Sequence, residues 1–149
     1  MPIELRPAQL EDVDALLDAW EWLFAPPGRR PDGWDRRRAG AALRDAVASH
    51  DALVLVAEDD GELVGYCTVY YGPHTIRFGM RAWMEELAVH PERRSEGLGA
   101  RLLEAGKAWA RGRGAAHLKL DSALARTDAH RFYEREGMAA LSYSFVCEL

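Results

Sequence analysis

The run Leu87-Ala88-Val89-His90-Pro91-Glu92-Arg93-Arg94-Ser95-Glu96-Gly97-Leu98-Gly99-Ala100 holds the most specific chemical pattern in the chain. Apolar residues lead into a polar loop with the spacing Arg94-x-x-Gly97-x-Gly99, and an amphipathic helix pattern begins at its end. Glycines let a loop backbone approach a ligand closely, and the first helical turn offers N–H groups with no internal partner. Those groups and the positive end of the helix dipole suit a pyrophosphate, to which Arg94 can add a charge-assisted contact. Two rival phosphate motifs fail. The dinucleotide fingerprint needs a third glycine where Leu102 stands, and the P-loop needs Gly-Lys followed by Ser or Thr. Taken alone, the spacing also fits a glycine-tolerant turn.

Other reactive side chains are weighed against plain structural roles. On a regularly alternating strand Glu85 shares a face with Leu87 and Val89, and Glu86 points the other way. The five histidines, at 50, 74, 90, 117 and 130, lack metal-ligand spacing, so no metal is expected. His74 sits at a chain break from which it could reach an acceptor pocket. Cys67 and Cys147 fall in strand-like segments without a C-x-x-C pair and read as buried free thiols. Five arginines between 29 and 38 form a solvated loop and helix start, or else a wall that favours an anionic group.

The elements that must position these groups follow from periodicity and breakers. Strand patterns occur around Ile3 and Leu5, over 53–57, 63–71, 81–89 and 117–121, and in the tail, where Leu141, Tyr143, Phe145 and Cys147 take alternate positions. Helical spacing runs over 13–24, ending at Pro26-Pro27, and over 34–49, 97–111 and 129–136. Thr127 or Asp128 can cap the last helix, and Gly137 suits its end. The order β-α-α-β-β-β-α-β-α-β predicts an α/β (α+β) fold with a mixed sheet.

At 149 residues the chain fits a single domain, 1–149. Hydrophobic residues at 48% and charged residues at 29% are globular proportions, and a net charge of -5 disfavours a nucleic-acid partner. No apolar run reaches the ~20 residues that span a bilayer. The start lacks the basic and apolar stretches of a signal peptide, so a cytoplasmic protein with no membrane partner is expected. A homodimer, the commonest symmetric assembly, is the default expectation.

The segment 87–100 resembles the acetyl-CoA motif of the GNAT superfamily of N-acetyltransferases. A second stretch, Ala129-His130-Arg131-Phe132-Tyr133-Glu134-Arg135-Glu136-Gly137-Met138, resembles that family's A-x-x-F/L-Y-x-x-x-G-F pattern, and the order of elements agrees over essentially the whole chain. Residues 128–145 are most similar to the aminoalkylphosphonate N-acetyltransferases, and Trp83-Met84-Glu85-Glu86-Leu87 resembles the polyamine acetyltransferases. The resemblance implies a mixed sheet of about six to seven strands flanked by about four helices. It also implies acetyl-CoA as co-substrate and direct attack by the primary amine of a small molecule in a ternary complex. The backbone of Leu87, Ala88 and Val89 would pair with the pantetheine arm, the Val89 amide serving as an oxyanion donor. The amides of Arg94, Ser95, Glu96, Gly97, Leu98, Gly99 and Ala100 would hold the pyrophosphate. Glu85 is the expected base, with Glu86 in reserve, and Tyr133 the expected acid, since a phenol near ~10 can protonate a thiolate whose acid lies near ~8.5. The arginine-rich loop would border the acceptor site. Arg126 stands where many members carry a cofactor-holding Asn, a substitution that the aminoalkylphosphonate enzymes share. A protein or peptide acetyltransferase and a non-catalytic acyl-CoA-binding module are the alternatives.

Overall fold

Apolar alternation through the middle of the chain folds as an antiparallel meander of β1 (Glu4–Pro7), β2 (Ala52–Asp59), β3 (Glu62–Thr75) and β4 (Gly79–Val89). The computed structural model describes residues 2–149, apart from the side chains of Pro73 and His74. Asp60 and Gly61 both take positive φ, 51° and 84°, which lets a two-residue turn follow the strand twist between β2 and β3. A fifth strand, β5 (His117–Lys119), joins β4 in parallel, and the sheet order is β1-β2-β3-β4-β5.

Helices cover both faces. The 13–24 pattern appears as α1 (Val13–Ala19) and α2 (Glu21–Phe24), which meet at Trp20. With α3 (Arg36–Ala48) they bury Val13, Leu16, Leu17, Leu43 and Ala46 against Val54, Val56, Tyr66 and Ala88. Asp35 begins α3 by accepting the Arg37 and Arg38 amides at 2.9 and 3.2 Å, satisfying donors that the first turn leaves open. The opposite face carries α4 (Leu98–Gly112), whose Leu98, Leu102, Leu103 and Ala110 pack on Leu55, Cys67, Val69 and Met84. Helix and sheet approach most closely at Gly106, where an added Cβ would lie 2.6 Å from Met84 Cε. A last helix, α5 (Thr127–Arg135), sets Phe132 and Tyr133 on the edge of this core.

Several expectations change. Five strands form instead of six or seven among the described residues, while the four expected helical stretches are present, the first divided at Trp20 into α1 and α2. Helix α5 starts at Thr127, so neither Thr127 nor Asp128 caps it. The tail is not a strand: Leu141 and Phe145 are 89% and 93% exposed, and Cys147 is an exposed thiol, unlike the buried Cys67. A strand needs a neighbour for its N–H and C=O groups. The tail meets the end of β5 by one side-chain contact, the Ser144 hydroxyl donating to Asp121 at 3.3 Å.

Candidate active site

The site lies where two strands part. β4 and β5 pair only from Arg81–His117 to Trp83–Lys119, and β4 then runs on to Val89 with its β5-side edge unpaired among the described residues. A cleft of about 860 Å³ opens there. Leu87, Ala88 and Val89 form its floor, the loop from Arg93 to Ala100 one end, α5 a second side, and Trp22 to Pro27 the opposite wall.

The loop is shaped before any ligand arrives. His90 Nδ1 accepts the Glu92 amide at 3.1 Å, fixing the turn at Pro91–Arg93. Arg93 is anchored by Asp59 at 2.8 Å and Glu96 at 3.0 Å. Ser95 and Gly97 then take φ of 68° and 79°, leading the loop into the start of the 15-residue α4. A loop of this kind at a helix N-terminus, whose first amides lack internal partners, suits phosphate oxygens. Arg94 is exposed, lines the cleft and has no hydrogen-bond partner among the described residues. Of two adjacent arginines, one holds the loop and the other faces the cleft without a partner among the described residues. The sequence motif singled out Arg94, while Arg93 needed Asp59 brought from the β2–β3 turn to reveal its role.

The two carboxylates do not follow regular alternation. Thr68 pairs with Glu86 but Val69 pairs with Met84, so Glu85 is the extra residue of a β-bulge. The face that Leu87 and Val89 share therefore continues at Met84, not at Glu85. Glu85 is exposed. Glu86 lies across from the fully buried Thr68, on the face that holds Tyr66 and Ala88. The Thr68 hydroxyl donates to the Glu86 carboxylate and accepts the Glu86 amide at 3.1 Å. Burial pushes Glu86 up to about 7; the Thr68 hydrogen bond opposes this and the neighbouring Glu85 charge adds to it.

Tyr133 lines the cleft from α5. Burial raises its phenol above the ordinary value, and the Arg126 guanidinium pulls part of the shift back. Arg126 also crosses the cleft, donating from Nη2 to the Leu23 carbonyl at 2.8 Å. Gly28 packs into this contact, since a Cβ there would sit 1.8 Å from Leu23 O and 2.4 Å from Arg126 Nη2. Sequence reasoning marked Arg126 only as a departure from a pattern; its partner lies 103 residues away. In the arginine-rich loop, Arg30 pairs with Glu21 and Arg36 with Asp18 at 2.8 Å, while Arg29, Arg37 and Arg38 are exposed. The His74 side chain lies outside the described residues. No metal-binding group of three or more His, Cys, Asp or Glu occurs among the described residues, and no helix there is long and apolar enough to cross a membrane.

Comparison with known proteins gives the family and the fold. The profile of the Acetyltransferase (GNAT) family matches residues 15–138. The aminoalkylphosphonate N-acetyltransferase of Salmonella typhimurium is 34% identical over 98% of this chain and 92% of its own length. The aminoglycoside N(6')-acetyltransferase type 1 of Klebsiella aerogenes is 31% identical over 76% of this chain and 80% of its own. Among solved structures, the aminoglycoside N-acetyltransferase AAC(6')-Iy in complex with CoA overlays with a TM-score of 0.85 at 14% identity, covering 99% of this chain and 95% of that one. That last likeness speaks to the fold.

Proposed function

The chain belongs to the GNAT acetyltransferase family, and from that premise we propose that it moves the acetyl group of acetyl-CoA onto the primary amine of a small molecule by direct attack. The observation that carries the reading is Glu86. Its carboxylate is half-buried and pushed up to about 7 by that burial, and it lies on the same face of β4 as Ala88, two residues up the strand from that cleft-floor residue. A small amine near ~10 arrives as an ammonium and must lose a proton before attack.

The residues present fit acetyl-CoA, which supplies the activated acyl carbon as a thioester. The amides from Arg94 to Ala100 would take the pyrophosphate, with Arg94 as counter-charge. The unpaired β4 edge would pair with the pantetheine amides, and the Val89 N–H is the proposed donor to the thioester oxygen. Glu86 accepts the ammonium proton. The amine nitrogen then bonds to the acetyl carbon as the C–S bond breaks, and Tyr133 delivers a proton to the departing sulfur; the second proton that nitrogen loses on amide formation passes through solvent to restore the Tyr133 phenol, and Glu86 releases its own proton to solvent. The exposed Glu85 sits beside Glu86 and strengthens its hold on the proton. We assign the base to Glu86 in preference to Glu85 on burial and register.

Aminoalkylphosphonates head the proposed acceptors because that relative matches nearly the whole chain; the exposed Arg29, Arg37 and Arg38 are not among the residues that line the cleft. We further propose that 1–149 acts as one domain and that the enzyme is a homodimer. The test is amine-dependent release of free thiol from acetyl-CoA across aminoalkylphosphonates, aminoglycosides, polyamines and basic peptides. Highest kcat/KM with an aminoalkylphosphonate supports the full reading. Turnover confined to peptides overturns the small-molecule assignment, and acetyl-CoA binding without turnover on any amine leaves a binding module.

A further inference from the structure

Beyond the cleft floor, the sheet face that carries Ala88 and Glu86 continues toward the start of β4 as a row of three side chains. The register sets Tyr70 of β3 beside Trp83 of β4, and Trp83 beside Lys119 of β5. All three point away from α4, because their chain neighbours Val69, Ala82, Met84 and Leu118 pack on the α4 side. Tyr70 is 40% exposed, and Trp83 and Lys119 are half-buried. None of the three belongs to either core cluster. An indole left outside both cores presents a flat apolar surface to whatever lies against it.

Charge along this face is ordered. Glu86, with Glu85 beside it in the bulge, stands at the end nearer the cleft floor. Burial pushes the Tyr70 phenol up to about 12, and the Glu86 and Glu85 charges add to the shift, so both carboxylates lie near it. Cations stand at the other end. Lys119 Nζ sits 4.8 Å from the Trp83 ring centroid. One row further, Arg81 lies beside His117, with its guanidinium carbon 4.6 Å from the Phe78 ring centroid. Arg81 Nε is buried with no hydrogen-bond partner among the described residues. Neither cation joins an ion pair there. Asp121, two residues past Lys119, accepts from the Ser144 hydroxyl instead. A ring steadies an ammonium but accepts no conventional hydrogen bond, so the Lys119 donors remain open to an oxygen acid.

We propose that this row is an anion subsite for the acceptor, which is a small amine carrying a phosphonate: its nitrogen meets Glu86, its chain crosses Trp83 and Tyr70, and its phosphonate oxygens meet Lys119, with Arg81 behind. This rests on the acetyl-transfer reading and names the residues that select the acceptor. Carboxylates at one end of the face and unpaired cations at the other complement a zwitterion, whereas a polyamine would set its second charge against Lys119. Trp83 lies three residues before Glu86, at most ~10 Å along a strand, a span that a short aminoalkyl chain and the Lys119 stem cover together.

Steady-state rates with 2-aminoethylphosphonate and with propylamine, which lacks the acid, read the subsite as a ratio. We expect the native enzyme to favour the phosphonate in kcat/KM. Lys119→Gln should lose ~10-fold of that preference, mainly through KM, and Lys119→Arg should keep most of it. The ratio is insensitive to any misfolded fraction, since both amines meet the same active molecules. A native enzyme without the preference, or an undiminished preference in Lys119→Gln, overturns the subsite. Calorimetric titration of 2-aminoethylphosphonate, with CoA in place of acetyl-CoA, separates the subsite from the reaction. Binding that Lys119→Gln weakens, without turnover of any amine, keeps the subsite and overturns acetyl transfer. Turnover of propylamine without phosphonate binding does the reverse, and the absence of both overturns both.

Discussion

Glu85 and Glu86 are neighbours on β4, yet the bulge opposite Thr68 leaves one in solvent and turns the other inward. Glu86 must be ionised to accept a proton, so kcat should rise with pH through about 7 and level off above it. Glu86→Gln should lower kcat by ~10²–10⁴-fold and abolish that limb. Glu85→Gln should keep most of kcat and move the limb to lower pH, because Glu85 helps to raise Glu86. The reverse result in the two pH profiles would return the base to Glu85. Stability should move oppositely to activity. A carboxyl whose folded value lies above its unfolded value contributes stability below the unfolded value, and that contribution is lost as pH climbs to about 7. Glu86→Gln is therefore expected to be more stable than the native enzyme at pH 8, chosen as roughly one unit above that value, by ~1–2 kcal/mol in urea unfolding, and near equal at pH 4, near the ordinary carboxylate range. The loop glycines and Tyr133 were legible because their local spacing carries their geometry. The choice between the glutamates was not, since a single extra residue in β4 reverses alternation without leaving a mark in residue type.

At the level of elements, the cleft wall from Trp22 to Gly28 is joined to α5 by the Arg126 guanidinium on the Leu23 carbonyl. This contact links the first quarter of the chain to the helix that carries Tyr133. Arg126→Ala should release the wall and remove a positive charge near the phenol. We expect acceptor KM to rise ~10-fold, about 1.4 kcal/mol of lost binding, and the Tyr133-dependent alkaline limb to move up in pH. Steady-state kinetics with a fixed amine and varied pH would show both; a change in neither would reduce Arg126 to a surface residue. Gly28→Ala acts on the same wall from the other side, because its Cβ would meet the backbone oxygen of Leu23 rather than a movable side-chain end. Hairpin β2–β3, helix α4 and the breaks at Pro26 and Gly137 could be read from pattern and turn chemistry. The split of the first helix at Trp20 could not, because apolar spacing continues straight through it while Trp20 stacks on Tyr66 at 4.7 Å. The tail's alternation was equally plain, but a strand needs a partner for its backbone groups, and among the described residues none pairs with the tail.

For the molecule as a whole, the two core clusters border the cleft at Ala88 and Leu98 but are built mainly from residues outside it, while the cleft draws on three separated stretches of chain. Anything bound there joins the wall after α2, the loop before α4 and the helix α5. Ligand that binds only the folded state stabilises it by RT ln(1 + [L]/Kd), ~2.7 kcal/mol at a hundredfold excess over Kd. For a chain of this size that corresponds to a Tm increase of ~5–11 °C, at about 2–4 °C per kcal/mol. The net charge of -5 works against an anionic ligand at long range, so the local counter-charge at Arg94 matters more than it would on a basic protein. Arg94 has no hydrogen-bond partner among the described residues, whereas Arg93 is tied to Asp59 and Glu96. Arg94→Gln should therefore leave the ligand-free Tm within about a degree while losing ~1–2 kcal/mol of the acetyl-CoA-induced stabilisation. Arg93→Gln should lower the ligand-free Tm as well, because the loop loses its anchor. Thermal unfolding of both variants with and without acetyl-CoA distinguishes the two arginines. Equal loss of ligand-free stability in both would mean that Arg94 serves the loop and not the phosphate.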